Sequence, residues 1–339
     1  MTRRSVAFVD AFCPRPYDER SVTGEAIGGT ELSVLLLARE LAETHDVTVY
    51  QHCRKETRIG EDGVRFEGAS TWKQLAAARA HETVVILNSP KLLELWRGSD
   101  PSVRLILWRH NFLGAHSRTI GETLACTEAD MVCVSNSHRC HTLDYPAKGR
   151  LLDPMRVHAI HNPVSVIAPE EARPNFDRVI FASSPHKGLD QVLGTFNRVR
   201  QAIPPLELWI ADPGYLKPEA HNLPQGVHSM GALPRPDLHA LLARSLCLFC
   251  AQKRFAETFG LIFAEAHALG TPVIAQAGLG ATDEVIADPA QLFDIADIDG
   301  IVATLERWRS GERPAPTPDE RFDPKIVSET WRTLLDRKP

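Results

Sequence analysis

The 339 residues correspond to about two domains at roughly 150 residues each, and 43% apolar residues are enough for a core in both, which excludes disordered and fibrous chains. A formal net charge of −5 at pH 7 offers no global positive field for nucleic acid or an anionic membrane, so any polyanion site must be local. Met1–Ser5 is basic, but the apolar run behind it, Val6–Val9, is too short for a signal-peptide core or a bilayer span, and seven irregularly placed cysteines suit a reducing compartment; a cytoplasmic location is expected.

In chain order, short apolar runs alternate with amphipathic stretches, the signature of parallel sheets covered by helices. The first half predicts strands at Val6–Val9, Val47–Tyr50, Val84–Leu87, Leu105–Trp108, Met131–Val134 and Val157–Ile160, with helices at Glu31–Thr44, Trp72–Ala80 and Lys91–Arg97. After Asn162-Pro163, the polar segment Ala168–Asp177 has no period and reads as the inter-domain linker region. The second half restarts: strand Val179–Ala182, helix Leu189–Ile203, strand Leu206–Ala211, helix Pro236–Ala243, strand Leu246–Cys250, helix Phe259–Leu269 and strand Pro272–Ala275. A proline- and charge-rich stretch, Arg309–Arg321, precedes a helical pattern at Pro324–Leu335 that can pack back on the first domain. The layout is two doubly wound domains, residues 1–163 and 164–318, with a terminal helix in 319–339. Ligands of such sheets bind beyond the carboxyl ends of the strands, so the cleft between the two is the natural site.

Two stretches carry candidate chemistry. Gly28-Gly29-Thr30-Glu31 puts bare backbone amides before an apolar helix, where they suit a phosphate, although glycines at helix starts are common for steric reasons alone. In the second stretch, Glu257 to Glu265, Thr258 suits an N-cap, so the amides of Phe259, Gly260 and Leu261 would face an anion. Glu265 would then lie about 9 Å deeper along the axis at about 1.5 Å per residue. No GxGxxG, Walker or GxSxG pattern occurs. Asp297-Ile298-Asp299 reads as an N-cap and a solvated acid rather than a metal motif, so no metal is expected. Cys247-Leu248-Phe249-Cys250 reads as core, and His138-Arg139-Cys140-His141 as polar surface or cleft rather than zinc ligands.

The segment ETFGLIFAEAHALGTPVIA, with Glu257 and Glu265 eight positions apart, resembles the signature of family 4 glycosyltransferases, retaining enzymes of the two-domain GT-B fold. VSNS at 134–137, HAIHNP at 158–163, Lys187-Gly188-Leu189 and Gly231 follow the same layout, which covers most of the chain.

The resemblance implies that Glu265 binds the ribose hydroxyls of a nucleotide-sugar donor, most simply a UDP- or GDP-sugar, and that Glu257 contacts the sugar. Thr258, Phe259, Gly260 and Leu261 would line the diphosphate, Lys187 would neutralise it, Gly28 and Gly29 would close over the phosphates, and His110 would stand near the donor sugar. Ser183 occupies the position where the family commonly shows an arginine, so His186 or an arginine such as Arg254 would have to replace that charge; Cys250-Ala251-Gln252 stands for the usual Pro-Ser turn.

The implied function is metal-independent transfer, without a cofactor, to an acceptor hydroxyl on a sugar, a lipid-linked or a small molecule, in glycan, polysaccharide or glycoconjugate synthesis. Neither nucleic acid nor strong membrane attachment is implied, and weak peripheral association at the inner membrane face stays open. The alternatives are a nucleotide-sugar epimerase of the same architecture and a non-catalytic sugar-nucleotide binding protein.

Overall fold

In a computed structural model describing residues 3–24, 26–69, 71–212 and 223–337, the apolar runs become the strands of two sheets. The chain divides into two units, one formed by Met1–Arg20, Thr30–Pro163 and Asp323–Pro339, the other by Ser21–Gly29 and Val164–Phe322.

The first unit contains β1 (Arg4–Asp10), β2 (His45–Gln51), β3 (Arg58–Ile59), β4 (Arg65–Gly68), β5 (Thr83–Leu87), β6 (Arg104–Arg109), β7 (Asp130–Cys133) and β8 (Val157–Ala159). They lie in the order β3-β4-β2-β1-β5-β6-β7-β8, parallel throughout except for the β3–β4 pair. The crossover helices are α1 (Gly29–Ala42), α2 (Trp72–Ala77), α3 (Pro90–Ser99), α4 (Ile120–Thr127) and α5 (Asn136–Leu143). Continuous apolar strands such as Val84-Val85-Ile86-Leu87 follow from burial on both faces, since helices cover each side of the sheet.

The second unit contains β9 (Asn175–Ala182), β10 (Glu207–Ala211), β11 (Val227–Gly231), β12 (Ser245–Cys250), β13 (Val273–Gln276) and β14 (Leu292–Phe293), in the order β11-β10-β9-β12-β13-β14. Its helices are α6 (Leu189–Ala202), α7 (Arg235–Ala243), α8 (Leu261–Ala268), α9 (Thr282–Val285) and α10 (Ile298–Arg307). In both sheets the strand order reverses once, between β1 and β5 and between β9 and β12, which makes each a Rossmann-like doubly wound layer.

The last helix, α11 (Pro324–Leu335), belongs to the first unit. Its Trp331 is fully buried edge-on against Trp108 of β6, ring centroids 4.9 Å apart, and Phe8 of β1 lies 6.1 Å from the same indole. In the second unit Phe196 of α6 packs on Phe249 of β12 at 6.4 Å.

The structure corrects three details of the sequence reading. β9 already begins at Asn175, inside the stretch taken for linker. The helix predicted through Ala80 stops at Ala77, because Arg79 has a φ of +49°. The short strands β3, β4 and β11 escape the periodicity, being too brief or too polar to stand out. Asp297 does cap α10, accepting the Gly300 N–H at 2.9 Å, and Cys247 and Cys250 are buried in β12.

Candidate active site

The site grows out of the strand-order reversal in the second sheet, where the loops after β9 and β12 diverge to opposite faces and leave an opening at the carboxyl ends. The first loop runs through Ser183 and Ser184 into a 3-10 turn, Pro185–Lys187, and then Gly188, whose φ of +91° starts α6. A side chain at Gly188 would collide with Gln252, its Cβ standing 2.8 Å from the amide oxygen, so glycine lets the two loops touch.

Gln252 explains the departure from the family's Pro-Ser turn. Its side-chain oxygen accepts the Arg254 and Phe255 N–H groups, both at 2.8 Å, and its amide nitrogen donates to the Phe255 carbonyl at 2.8 Å. One side chain therefore folds the loop that delivers Glu257. Glu257 is fastened on its other side by the Ala281 N–H, which donates to its carbonyl at 2.9 Å.

Across the opening, Lys187 Nζ donates to both Glu257 carboxylate oxygens at 2.8 and 3.0 Å and lies 4.9 Å from the Phe255 ring centroid. The ammonium and the carboxylate are only partly accessible. Ser183, four residues before Lys187, is half-buried. The Ser184 hydroxyl is buried with no protein partner among the described residues. Neither expected substitute supplies the missing arginine's charge here: Arg254 pairs with Asp190 at 2.7 Å, and the His186 ring sits edge-on to Phe255.

The helix after Glu257 starts later than predicted. Thr258 is not its cap; Gly260, with a φ of +87°, occupies the N-cap position, and the first helical residue is Leu261. Phe259 turns into the core, 1% exposed and edge-on to Phe322 at 5.0 Å, so its side chain is an anchor for the turn. The first helical bond, Phe263 N–H to the Gly260 carbonyl at 2.9 Å, leaves the Leu261 and Ile262 N–H groups without an intrahelical acceptor. Segment Ser21–Gly29 groups with this unit, and a Cβ at Gly29 would stand 2.8 Å from Leu261 Cδ1; Gly28 precedes it in the same segment.

Glu265 lies one turn into α8 rather than two and is buried. Arg235 Nη1 donates to its Oε1 at 2.7 Å, while Arg235 Nη2 donates to the Ser165 carbonyl at 2.6 Å. His239 accepts the Ile167 N–H on Nδ1 at 2.9 Å, so its Nε2 carries the proton and points toward the same carboxylate oxygen, 3.9 Å away. Burial by itself would raise the Glu265 pKa, but Arg235 and His239 outweigh it and hold the group below the usual carboxylate range. Glu265 is an anion whose Oε2 stays outside these contacts. Sequence reasoning missed Arg235 and His239, because their partner lies in another helix and α7 reads as an ordinary amphipathic segment.

In the first unit, His110 follows β6 and is buried, its N–H donating to Asn88 Oδ1 at 2.9 Å and its ring against Trp108 at 4.6 Å. Burial, with His138 and Arg109 nearby, pushes its pKa down to about 3, so it is neutral at ordinary pH. Arg109 is buried too, its guanidinium donating to the Asn88 and Phe112 carbonyls at 3.0 and 3.3 Å. His138 is not the polar surface residue expected from the sequence but is buried between the Val134 N–H and the Asn111 carbonyl, whereas Cys140 and His141 are exposed.

Residues 176–321 match the family of glycosyl transferases group 1. The chain is 30% identical over 160 residues to a phosphatidyl-myo-inositol mannosyltransferase of Mycobacterium tuberculosis, covering 42% of each, so it spans under half the length of the curated relatives it matches. Over nearly its whole length it is similar in fold to AviGT4, a glycosyltransferase involved in avilamycin A biosynthesis, with TM-score 0.68 and 17% identity over 98% of this chain and 97% of that one. It is similar also to an alpha,alpha-trehalose 6-phosphate synthase from Burkholderia multivorans, with TM-score 0.67 and 13% identity over 99% and 96%. The fold is GT-B.

Proposed function

We infer that the chain, a family 4-type glycosyltransferase by its group 1 domain, moves a sugar from a nucleotide-diphosphate-sugar donor to an acceptor hydroxyl, with retention at the anomeric carbon and without a metal ion. The observation that carries this reading is the Lys187–Glu257 pair at the strand-order reversal, one turn ahead of the α8 amides.

Breaking a glycosyl phosphate bond builds negative charge on the departing diphosphate, and fixed positive groups aimed there lower the barrier. Lys187 is such a group, and the first-turn amides of α8 add their partial positive charge. Before the donor arrives Glu257 neutralises Lys187; the diphosphate takes over that role and frees Glu257 to accept hydrogen bonds from sugar hydroxyls. Glu265, kept ionised by Arg235, presents Oε2 to a ribose diol, and the unpartnered Ser184 hydroxyl suits a phosphate oxygen. His110 of the first unit is uncharged at ordinary pH.

The acceptor oxygen attacks the anomeric carbon from the face the phosphate leaves, and the departing phosphate oxygen takes its proton, so no protein nucleophile is needed. The mannosyltransferase relative's name, with its phosphoinositide, favours a lipid-linked or polyol acceptor over other small molecules.

A thermal-shift panel of UDP- and GDP-sugars tests this, since a ligand at 100 times its dissociation constant adds about 2.7 kcal/mol of apparent stability. Acceptor-dependent release of the nucleoside diphosphate supports transfer. A rearranged sugar nucleotide formed without acceptor would mean an epimerase, and binding without turnover a non-catalytic protein.

A further inference from the structure

Outside that site, the described residues contain one convergence of soft ligand atoms. It lies in the first unit, at the carboxyl ends of β1 and β2. These strands are parallel and in register to their last pair, Asp10 with Gln51, so the loops that leave them start side by side. The Asp10 carbonyl accepts the His52 N–H at 3.2 Å and lies 3.9 Å from Cys13 Sγ. As a result Cys13 meets the dipeptide His52-Cys53: its Sγ is 3.5 Å from His52 Nδ1 and 3.1 Å from Cys53 Sγ, and all three ligand atoms fall within 4.8 Å of one another.

The surroundings hold both loops in place. Gln51 accepts the Tyr17 N–H at 3.1 Å and donates to the Tyr17 carbonyl at 2.6 Å, while Arg54 donates to that carbonyl at 2.9 Å and to Asp18 at 3.1 Å. The Asp10 carboxylate is buried and takes the Phe12 N–H and the Tyr17 hydroxyl, both near 3 Å. Cys13 is buried, Cys53 half-buried and His52 exposed, so the cluster has a closed floor and an open side.

We propose that Cys13, His52 and Cys53 form a binding site for one zinc-class divalent cation, with two thiolates and one imidazole as ligands and a water completing a tetrahedron from the open side. For bonds of about 2.3 Å to sulfur and 2.0–2.1 Å to nitrogen, tetrahedral edges are roughly 3.6 Å between sulfur and nitrogen and roughly 3.8 Å between sulfurs. The first edge is present already. The second requires the sulfurs to separate, which Cys53 on its half-buried loop permits. A disulfide, at about 2.05 Å, would need them to close instead and would leave the imidazole without a role. Soft sulfur with imidazole selects zinc over magnesium or calcium. Binding releases the two thiol protons to solvent and changes no oxidation state. The cation clamps the loops after β1 and β2; the sugar-transfer chemistry does not draw on it.

The test uses the reduced full chain, stripped with a chelator and titrated with Co2+. A thiolate-to-cobalt charge-transfer band should grow to saturation at about one equivalent and vanish on adding Zn2+, the expected tetrahedral preference. Cys13→Ser and Cys53→Ser should abolish the band. His52→Ala, at an exposed position that tolerates the change, should weaken binding by more than the about 10- to 100-fold that loss of a supporting group costs. The exposed cysteines give controls: Cys126→Ser and Cys140→Ser should leave the band intact. No band with all thiols reduced overturns the proposal, as does a band that survives in Cys53→Ser or a cobalt affinity left unchanged in His52→Ala. Peptide mapping that finds a Cys13–Cys53 disulfide in air-exposed protein, with no metal uptake after reduction, overturns it in favour of a redox pair.

Discussion

Arg235 Nη1 stands 2.7 Å from Glu265 Oε1, and both side chains are buried, so α7 and α8 are joined by a charge pair shielded from water. Removing one member of such a pair strands the other charge, at a cost of about 3–5 kcal/mol. Arg235→Leu should lose that much in urea denaturation, and Arg235→Leu with Glu265→Leu should regain most of it. A single substitution costing under about 1 kcal/mol would contradict this account of the pair.

Lys187 and Glu257 pair at a partly accessible position, where an ion pair is worth about 0–1 kcal/mol. Their substitution should therefore separate stability from activity. Glu257→Ala and Lys187→Ala should melt within a few degrees of the parent yet transfer sugar about 10²–10³-fold more slowly. Glu257→Ala should keep its thermal shift with the donor, and Lys187→Ala should lose much of it.

His138 is a built-in acid sensor of stability. Its Nδ1 accepts the Val134 N–H at 3.3 Å and its Nε2 faces the Asn111 carbonyl at 3.2 Å, so only the neutral ring satisfies both neighbours. Burial, with Arg109 nearby, pushes its pKa down to about 4. The unfolded chain takes up this proton near pH 6.5 and the folded chain only near 4, so the contribution is complete above about 6.5 and falls with pH by about 1.4 kcal/mol per unit in between. His110, at about 3, acts in the same direction. Denaturation midpoints of His138→Gln against pH should show a slope shallower by that amount, and an unchanged slope would refute the assignment.

Gly260 begins α8 with a left-handed backbone, and its Cβ would meet Phe263 at 2.6 Å. Gly260→Ala should cost about 1–2 kcal/mol from the backbone alone. Gly98, inside α3 with nothing near its Cβ position, is the control: Gly98→Ala should be neutral or stabilising by up to about 1 kcal/mol. Thermal melts of the two variants decide it.

Most of the strands could be anticipated because buried parallel strands are continuous apolar runs, and Lys187, Glu257 and Glu265 were visible through the spacing they share with a known family. The start of α8 was misjudged because Thr258 has good capping chemistry, whereas the deciding factors were the left-handed Gly260 and the pull of Phe322 on Phe259. Arg235 and His239 were invisible for a different reason: their meaning depends on the packing of α7 against α8, which leaves no local pattern. Cys13 and Cys53, forty positions apart, meet only because β1 and β2 lie in parallel register.

The position of Trp331 bears on how the polypeptide acquires its shape during synthesis. Every strand of the first sheet is made by residue 159, but the indole that covers Trp108 is encoded more than 170 codons later. A nascent chain must therefore carry an incomplete first core while the whole second layer is translated and folded, and it can seal that core only once α11 has left the ribosome. Deleting the codons for Pro324–Leu335 should yield a product that chaperones retain, whose second unit is nonetheless intact.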